Sequence, residues 1–345
     1  MSRQARQFPD AATPNSTMNA QVPSPTTPKS PESSYGVDSP SSVTLDLVKG
    51  PSVAVLLALA VSAAAAQRGP LRSSIELTVV TATVRDADGK LVTGLPKEAF
   101  EIYEDGARLP IAQFTNERVP LGLGLLLDIS DSMFGRRIKD AESAVEHFLV
   151  SLLDAKDAFF VMAFNHEARL LFGWKTDPAG VHDALAKLKP TGSTAIYDAL
   201  VAAFPLLERR PRERAAIVLI TDGDDTASDT TLHDLRPALV RSDAFVYAIA
   251  IDTPEPQAIT KINVNTLNEI TGQSGGRTEV VRQTADLEPA TASIAEELNS
   301  QYVLGYASSH PGDGQFHSIR VRTTDPSHKV RARNGYVAAR RGSQQ

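Results

Sequence analysis

Residues 121–127 read Leu-Gly-Leu-Gly-Leu-Leu-Leu, with no polar side chain, and run directly into Asp128-Ile129-Ser130-Asp131-Ser132. A strand without polar alternation is buried on both faces, which is the situation of a central strand in a mostly parallel sheet covered by helices. The carboxylate and two hydroxyls that follow therefore emerge together at the carboxyl end of a buried strand. In an open α/β sheet that edge is where ligands bind. Alternate residues of an extended segment point the same way, so Asp128, Ser130 and Ser132 are expected to converge while Ile129 and Asp131 face elsewhere. Such a set suits a hard cation: Mg²⁺ takes about six oxygens near 2.0 to 2.1 Å and keeps several waters. Short Ser and Thr side chains have little reach, so they must sit on rigid turns.

Two later segments carry matching groups. Thr194 lies in Gly192-Ser193-Thr194-Ala195-Ile196-Tyr197-Asp198, and Asp222 ends the apolar run Ile217-Val218-Leu219-Ile220-Thr221. One Asp-x-Ser-x-Ser is a weak signal, because Asp and Ser are common cap and turn residues. Taken in order, the three segments resemble the metal-ion-dependent adhesion site of von Willebrand factor type A domains. The resemblance implies a divalent cation, Mg²⁺ or else Ca²⁺ or Mn²⁺, held by Asp128, Ser130, Ser132, Thr194 and Asp222, the last directly or through a water. Asp131 stands where the family often has Gly; an added carboxylate there raises metal affinity, shifts preference toward Ca²⁺, or repels an acidic ligand. Asp128 is expected at a solvent-facing edge, contributing charge to the ion and little to the core.

The flanks extend the likeness. Val84-Arg85-Asp86-Ala87-Asp88-Gly89-Lys90 and Phe100-Glu101-Ile102-Tyr103-Glu104-Asp105-Gly106, with Gln301-Tyr302-Val303-Leu304-Gly305-Tyr306 and Val330-Arg331-Ala332-Arg333-Asn334-Gly335-Tyr336 at the other end, are similar to exported bacterial VWFA-related proteins. The fold class implied is α/β: a doubly wound, mostly parallel, Rossmann-like sheet inserted in or flanked by a small β-sandwich-like domain. Strands are expected near 74–84, 100–104 and 111–116, separated by Asp-Gly turns. Alternating elements follow: strands at 121–127, 158–164, 169–174, 215–221 and 245–251, and helices near 138–153, 179–188, 195–208, 232–240, 259–271 and 286–298. The chain returns to strands after Ser300. The resulting division is 74–117 and 301–338 as two parts of one β domain, with 119–300 as the adhesion-type domain between them.

At the other end of the chain, residues 1–50 are rich in Pro, Ser, Thr and Asn and cannot bury enough surface to offset ordering entropy. Lys49, the apolar run 53–61 and the small residues 62–66 read as a signal peptide over 51–66, cleaved after Ala66. The run is shorter than the about 20 apolar residues a membrane span needs, so no stable span is expected after cleavage. A signal so far from Met1 is explained by translation beginning nearer to it, or by a disordered extension ahead of an uncleaved anchor. The first is preferred, since the early segment has no signal character. Location is then periplasmic, cell envelope or secreted. There is no cysteine, hence no disulfide, thiolate metal site or thiol nucleophile.

A net charge of −6 argues against nucleic acid as partner, whose binders carry a basic footprint. The acidic stretch 222–229 lacks the glycine and glutamate of an EF-hand loop; a solvated loop is the simpler reading, with a second cation as the alternative. The His residues show no His-x-His or His-x-x-x-His pair, so a helical zinc hydrolase site has no starting point. No Gly-x-Ser-x-Gly elbow surrounds Ser130. The function expected is a non-enzymatic, exported binding module whose cation captures an Asp or Glu carboxylate of a partner protein. The alternatives are a Mg²⁺-dependent phosphoryl-transfer or hydrolytic enzyme, with Asp128 as nucleophile, and a structural envelope protein with a vestigial site.

Overall fold

The computed structural model describes residues 77–252, 254 and 262–339. The expected extension over 1–50 and signal over 51–66 lie outside them. No helix among the described residues is long and apolar enough to cross a membrane.

The central block is built on β5 (Leu121–Asp128), every residue of which is buried. Parallel to it on one side is β6 (Ala158–Phe164) and on the other β8 (Arg214–Thr221). Beyond β6 lies the antiparallel edge strand β7 (Ala168–Lys175); beyond β8 lie β9 (Phe245–Ile251) and β10 (Thr278–Val281), giving the order β10-β9-β8-β5-β6-β7. The chain winds outward from β5 in one direction, then returns and winds in the other. The switch point is thus the carboxyl end of β5 beside β8, the position at which such sheets bind ligands.

Alternate side chains of β5 serve different faces. Leu121, Leu123, Leu125 and Leu127 pack with α1 (Arg136–His147), α2 (Val181–Leu185) and α6 (Leu287–Asn299), while Leu126 faces α3 (Ile196–Glu208), α4 (Leu232–Ser242) and α5 (Val264–Ser274). Each fully buried leucine contributes roughly 1.5–3 kcal/mol. The glycines of this strand leave room for aromatic rings: a Cβ on Gly124 would lie 2.4 Å from Phe160 Cζ, and one on Gly122 3.0 Å from Trp174.

Several helices differ in extent from the sequence expectation. The helix expected over 138–153 starts at Arg136, and its last turn is a π-helical stretch, Phe148–Leu152. That over 179–188 shrinks to α2, because Gly180 enters from the left-handed region and Pro190 keeps Lys189 out of the helical region. α5 begins at Val264, where the Asn263 side chain accepts Thr266 N–H at 3.1 Å. The short strand β10 had no distinct sequence signal.

Strands from both sides of this block pair with each other. β1 (Leu77–Arg85) lies between β11 (Tyr302–Ala307) and β13 (Lys329–Ala332), with β4 (Ile111–Thr115) beyond β11. A second sheet has the order β14 (Gly335–Val337), β12 (Phe316–Thr323), β2 (Phe100–Glu104), β3 (Ala107–Leu109). The two sheets share a core that includes Val80, Val84, Ile102, Tyr302, Leu304, Ile319 and Val321. Tyr302, Tyr306 and Tyr336 are buried within it, and their hydroxyls bond Val92 O, Glu104 and Glu104 respectively.

One buried carboxylate ties this sandwich to the central block. Glu297 of α6 accepts hydrogen bonds from Arg85 at 2.8 Å, Arg277 at 2.9 Å, Tyr247 Oη at 3.0 Å, and Arg331. Burial alone would raise its pKa, but Arg331, Arg85 and Arg277 outweigh burial and hold it below the usual carboxylate value. The side chain is fully inaccessible, so its ionised form rests on those cations.

Candidate metal centre

Asp128, Ser130, Ser132, Thr194 and Asp222 are gathered at the carboxyl edge of the central sheet. Asp128 ends β5 and Asp222 follows β8; the parallel register pairs Leu127 with Ile220, so Asp128 stands beside Thr221 and Asp222 one residue further along the same edge. Ser130 is extended, with φ −70° and ψ 168°. The expected alternation holds that far: Ile129 is buried in the core and Ser130 turns back to the edge. From Asp131 to Met133 the chain forms a 3-10 turn instead, so Ser132 arrives by helical turn rather than by strand alternation, and Asp131 is left exposed.

The oxygens form a connected set. Ser130 N–H donates to Asp128 Oδ1 at 2.8 Å. Ser130 Oγ and Ser132 Oγ are 3.0 Å apart, and Ser132 Oγ donates to Asp222 Oδ1 at 2.7 Å. A Cβ on Gly223 would stand 3.6 Å from Thr194 Oγ1 and 3.8 Å from Ser132 Oγ, so those hydroxyls border the same space. Oxygens bound to one Mg²⁺ at about 2.1 Å in octahedral geometry lie roughly 3.0 Å apart along each edge. The spacing of Ser130, Ser132 and Asp222 is of that size, and the donor set of two carboxylates and three hydroxyls fits a hard divalent cation.

The loop bearing Thr194 is pinned on both sides. Thr191 N–H donates to Ile129 O and Asp131 N–H to Gly192 O, each at 2.8 Å. Thr226 and Ala227 donate backbone N–H to Thr194 O, and Thr194 N–H donates to Thr226 Oγ1 at 3.0 Å. Gly192 has φ +79°, and a Cβ there would lie 2.6 Å from His166 Nδ1, so glycine is required. In the acidic stretch after Asp222 the Asp225 carboxylate accepts Tyr197 N–H at 3.0 Å and Ser228 N–H at 3.2 Å, while Asp198 on α3 accepts N–H from Asp229 and Thr230 of that stretch. It staples the start of α3 to its neighbour.

Two features differ from the sequence expectation. Asp128 is fully buried rather than solvent-facing, and its Oδ2 accepts the Thr221 hydroxyl at 2.6 Å. Burial pushes its carboxyl up to about 7; the nearby Asp222 charge adds to this, while the bonds from Thr221 and Ser130 oppose it. The second is Arg137 on α1, a buried guanidinium that donates to Asp222 Oδ2. Burial raises the pKa of Asp222 as well, against the pull of Ser132 and Arg137. Thr221 and Arg137 are the functional neighbours that sequence reasoning missed. Thr221 stood in the motif segment beside Asp222; nothing in the sequence marked Arg137. On the rim, Phe134 follows the 3-10 turn and is 65% exposed.

Residues 123–224 match the sequence model of the von Willebrand factor type A domain. Over 130 residues the chain is 29% identical to inter-alpha-trypsin inhibitor heavy chain H2 of Sus scrofa, which takes in 34% of this chain and 14% of that protein. It is 32% identical over 117 residues to an uncharacterized protein of Synechocystis sp., covering 33% of this chain and 28% of that one. The chain thus spans less than a third of the length of these curated relatives. Among solved structures it is similar to a von Willebrand factor type A protein from Catenulispora acidiphila, with TM-score 0.46, 15% identity and coverage of 78% and 75% of the two chains. It also aligns with the vWF domain of the type V pili tip protein Mfa5 from Porphyromonas gingivalis, with TM-score 0.42, 14% identity and coverage of 53% and 96%.

Proposed function

The chain contains a von Willebrand factor type A domain, matched over residues 123–224, and on that premise we propose that it is an exported binding module that uses a divalent cation to capture an acidic side chain of a partner protein. Domains of this family are commonly engaged in protein–protein interaction and adhesion. The observation that carries the finer reading is the linked set Asp128, Ser130, Ser132 and Asp222, with Thr194 bordering the same space. Asp128, Ser130, Ser132 and Thr194 would hold the ion, and Asp222 would complete the shell directly or through a water.

Charge supports an acidic ligand. Asp128 and Asp222, when ionised, and Arg137 are the buried charges at the site, with a sum of −1 − 1 + 1 = −1. A divalent cation brings this to +1, and a partner carboxylate offsets the remainder in a partly desolvated place where such pairing is strong. Mg²⁺ or Mn²⁺ supplies the electrophilic centre when bound. The protein's own groups orient it: Thr221 and Ser130 N–H fix the two oxygens of Asp128. Phe134 gives the rim an apolar contact of the kind that anchors protein partners.

The test is affinity capture from envelope extract by the chain from Gln67 onward, in Mg²⁺ and in chelator. A partner retained with Mg²⁺ and released by chelator supports the proposal. Equal retention in both conditions counts against it.

A further inference from the structure

A separate group of ligating side chains lies in the β-sandwich, built from segments some two hundred residues apart in the chain. Asp105 opens the Asp-Gly turn after β2, His310 sits on the connection from β11 to β12, and His317 is on β12. A carboxylate oxygen of Asp105 and a ring nitrogen of each histidine all lie within 4.8 Å of one another. We propose that Asp105, His310 and His317 form a site for a borderline divalent transition ion of the zinc type, with water completing the shell and Glu104 beside His310.

The donors lie near one another on the scale of a ligand shell. Tetrahedral zinc with bonds of about 2.0 Å places its donors roughly 3.3 Å apart. Here Asp105 Oδ2 is 2.8 Å from His317 Nδ1 and 3.9 Å from His310 Nδ1, and Glu104 Oε2 is 3.5 Å from His310 Nδ1. The two edges to His310 show its ring within reach of the cluster, and they are the ones that a rotation of that ring adjusts. Two imidazoles with one carboxylate is a nitrogen and oxygen set that favours zinc, nickel or copper over Mg²⁺ or Ca²⁺.

The surrounding groups orient these donors in the way metal ligands are oriented. His317 Nε2 lies 3.0 and 3.1 Å from the two oxygens of Asp313, which leaves Nδ1 to face the cluster. Asp105 Oδ1 accepts Ser318 N–H at 2.8 Å and Ser318 Oγ at 3.0 Å, freeing Oδ2. Glu104 is buried, with Oε1 held by Tyr306 and Tyr336 at 3.1 and 2.8 Å and Oε2 by Ser309 N–H at 2.9 Å. Without metal both ring nitrogens of His317 donate to carboxylates, Nδ1 to Asp105 and Nε2 to Asp313, so a divalent ion would take the place of the Nδ1 proton.

One movement is required. The two rings are stacked at 4.4 Å and 6° from parallel, whereas a ligand nitrogen needs the ion in its ring plane. His317 is fixed by burial; His310, 45% exposed on its loop, turns out of the stack. The loop bearing His310 crosses from the sheet of β11 to the sheet of β12. The ion would therefore pin that crossing to the end of β2, a cross-link in a chain without cysteine.

The experiment titrates the full chain with Co²⁺ and then Zn²⁺, with Mg²⁺ in excess so that the oxygen site on the central sheet is occupied. One equivalent of Co²⁺ should give d–d absorption, be displaced by Zn²⁺, and shift the His310 ring resonances. His310→Ala should weaken Zn²⁺ binding at least about tenfold while its melting temperature without zinc and its Mg²⁺ affinity stay as in the parent. Absence of the Co²⁺ spectrum, or a spectrum and Zn²⁺ affinity unchanged in His310→Ala, would overturn the proposal and leave His317 as a structural ion pair between Asp105 and Asp313.

Discussion

Arg137 places its guanidinium on Asp222, and both side chains are buried. The second carboxylate of the candidate metal centre therefore already has a cation, supplied by the first turn of α1. Replacing Arg137 by Met should act in two opposite directions. The protein without metal loses about 3–5 kcal/mol, because Asp222 is left buried without its partner. Divalent affinity rises by about tenfold or more, because a positive charge close to the ion is gone. Melting with and without Mg²⁺ and a calorimetric titration measure both.

Asp128 distinguishes a charge effect from a packing effect. Asp128→Asn keeps an acceptor oxygen for Ser130 N–H and turns its amide N–H toward Thr221 Oγ1, which then accepts; it should retain the fold while losing divalent binding by at least about a hundredfold, roughly 2.7 kcal/mol. Asp128→Ala also leaves Thr221 Oγ1 and Ser130 N–H without their acceptor and should cost about 1–3 kcal/mol of stability. Equal stability of the two variants would contradict the hydrogen-bond assignment.

The pH dependence follows from the same residue. Its carboxyl is raised to about 7 in the folded state, against about 3.9 in an unfolded chain. Between those values the folded state holds the extra proton, so stability without metal falls as pH rises from about 4 to about 7 and is flat above. Metal competes with that proton. Mg²⁺ affinity should climb over the upper part of this window and level off beyond about pH 7; a flat profile from pH 5 to 8 would show that Asp128 is already ionised.

Glu297 offers a test of how the sandwich is held to the central block. Glu297→Ala removes the common acceptor of Arg85, Arg277 and Arg331 and should cost about 3–5 kcal/mol. Because its pKa is depressed in the folded state, its contribution is present above the ordinary carboxylate range and is lost as pH falls through the folded value. Proteolysis of β1 and β13 at a pH below the ordinary carboxylate range should therefore run ahead of proteolysis of the central sheet.

Phe134 tests the binding surface. It is exposed and buries little, so Phe134→Ala should change stability by no more than about 0.5 kcal/mol and leave Mg²⁺ affinity unchanged. Capture of the partner should weaken by about 1 kcal/mol or more. Undiminished capture would place the partner elsewhere.

How legible was this in the sequence? The unbroken apolar run of β5 and its abrupt ending in Asp128-Ile129-Ser130-Asp131-Ser132 pointed to a central strand and to a candidate site at its end, because burial on two faces leaves a composition that no surface strand has. Thr194 and Asp222 were readable for the same reason, each standing at the boundary of an apolar element. The burial of Asp128 was not, since nothing local says that Thr221 will close over it. Arg137 was invisible because a helical arginine is ordinarily a solvated one. His310 and His317 are seven residues apart across a loop, a spacing that in a helix leaves two side chains on one face but about 10.5 Å apart along the axis, and only the crossing between sheets makes them neighbours.

The central claim is that a divalent cation sits among Asp128, Ser130, Ser132 and Thr194 at the carboxyl edge of the central sheet. Anomalous difference density from crystals of the full chain soaked in Mn²⁺ tests it most directly. The account predicts a peak bordered by those oxygens at about 2.0 to 2.2 Å, present in the parent and absent in Asp128→Asn. No peak at that edge in the parent, or an undiminished peak in Asp128→Asn, would contradict it.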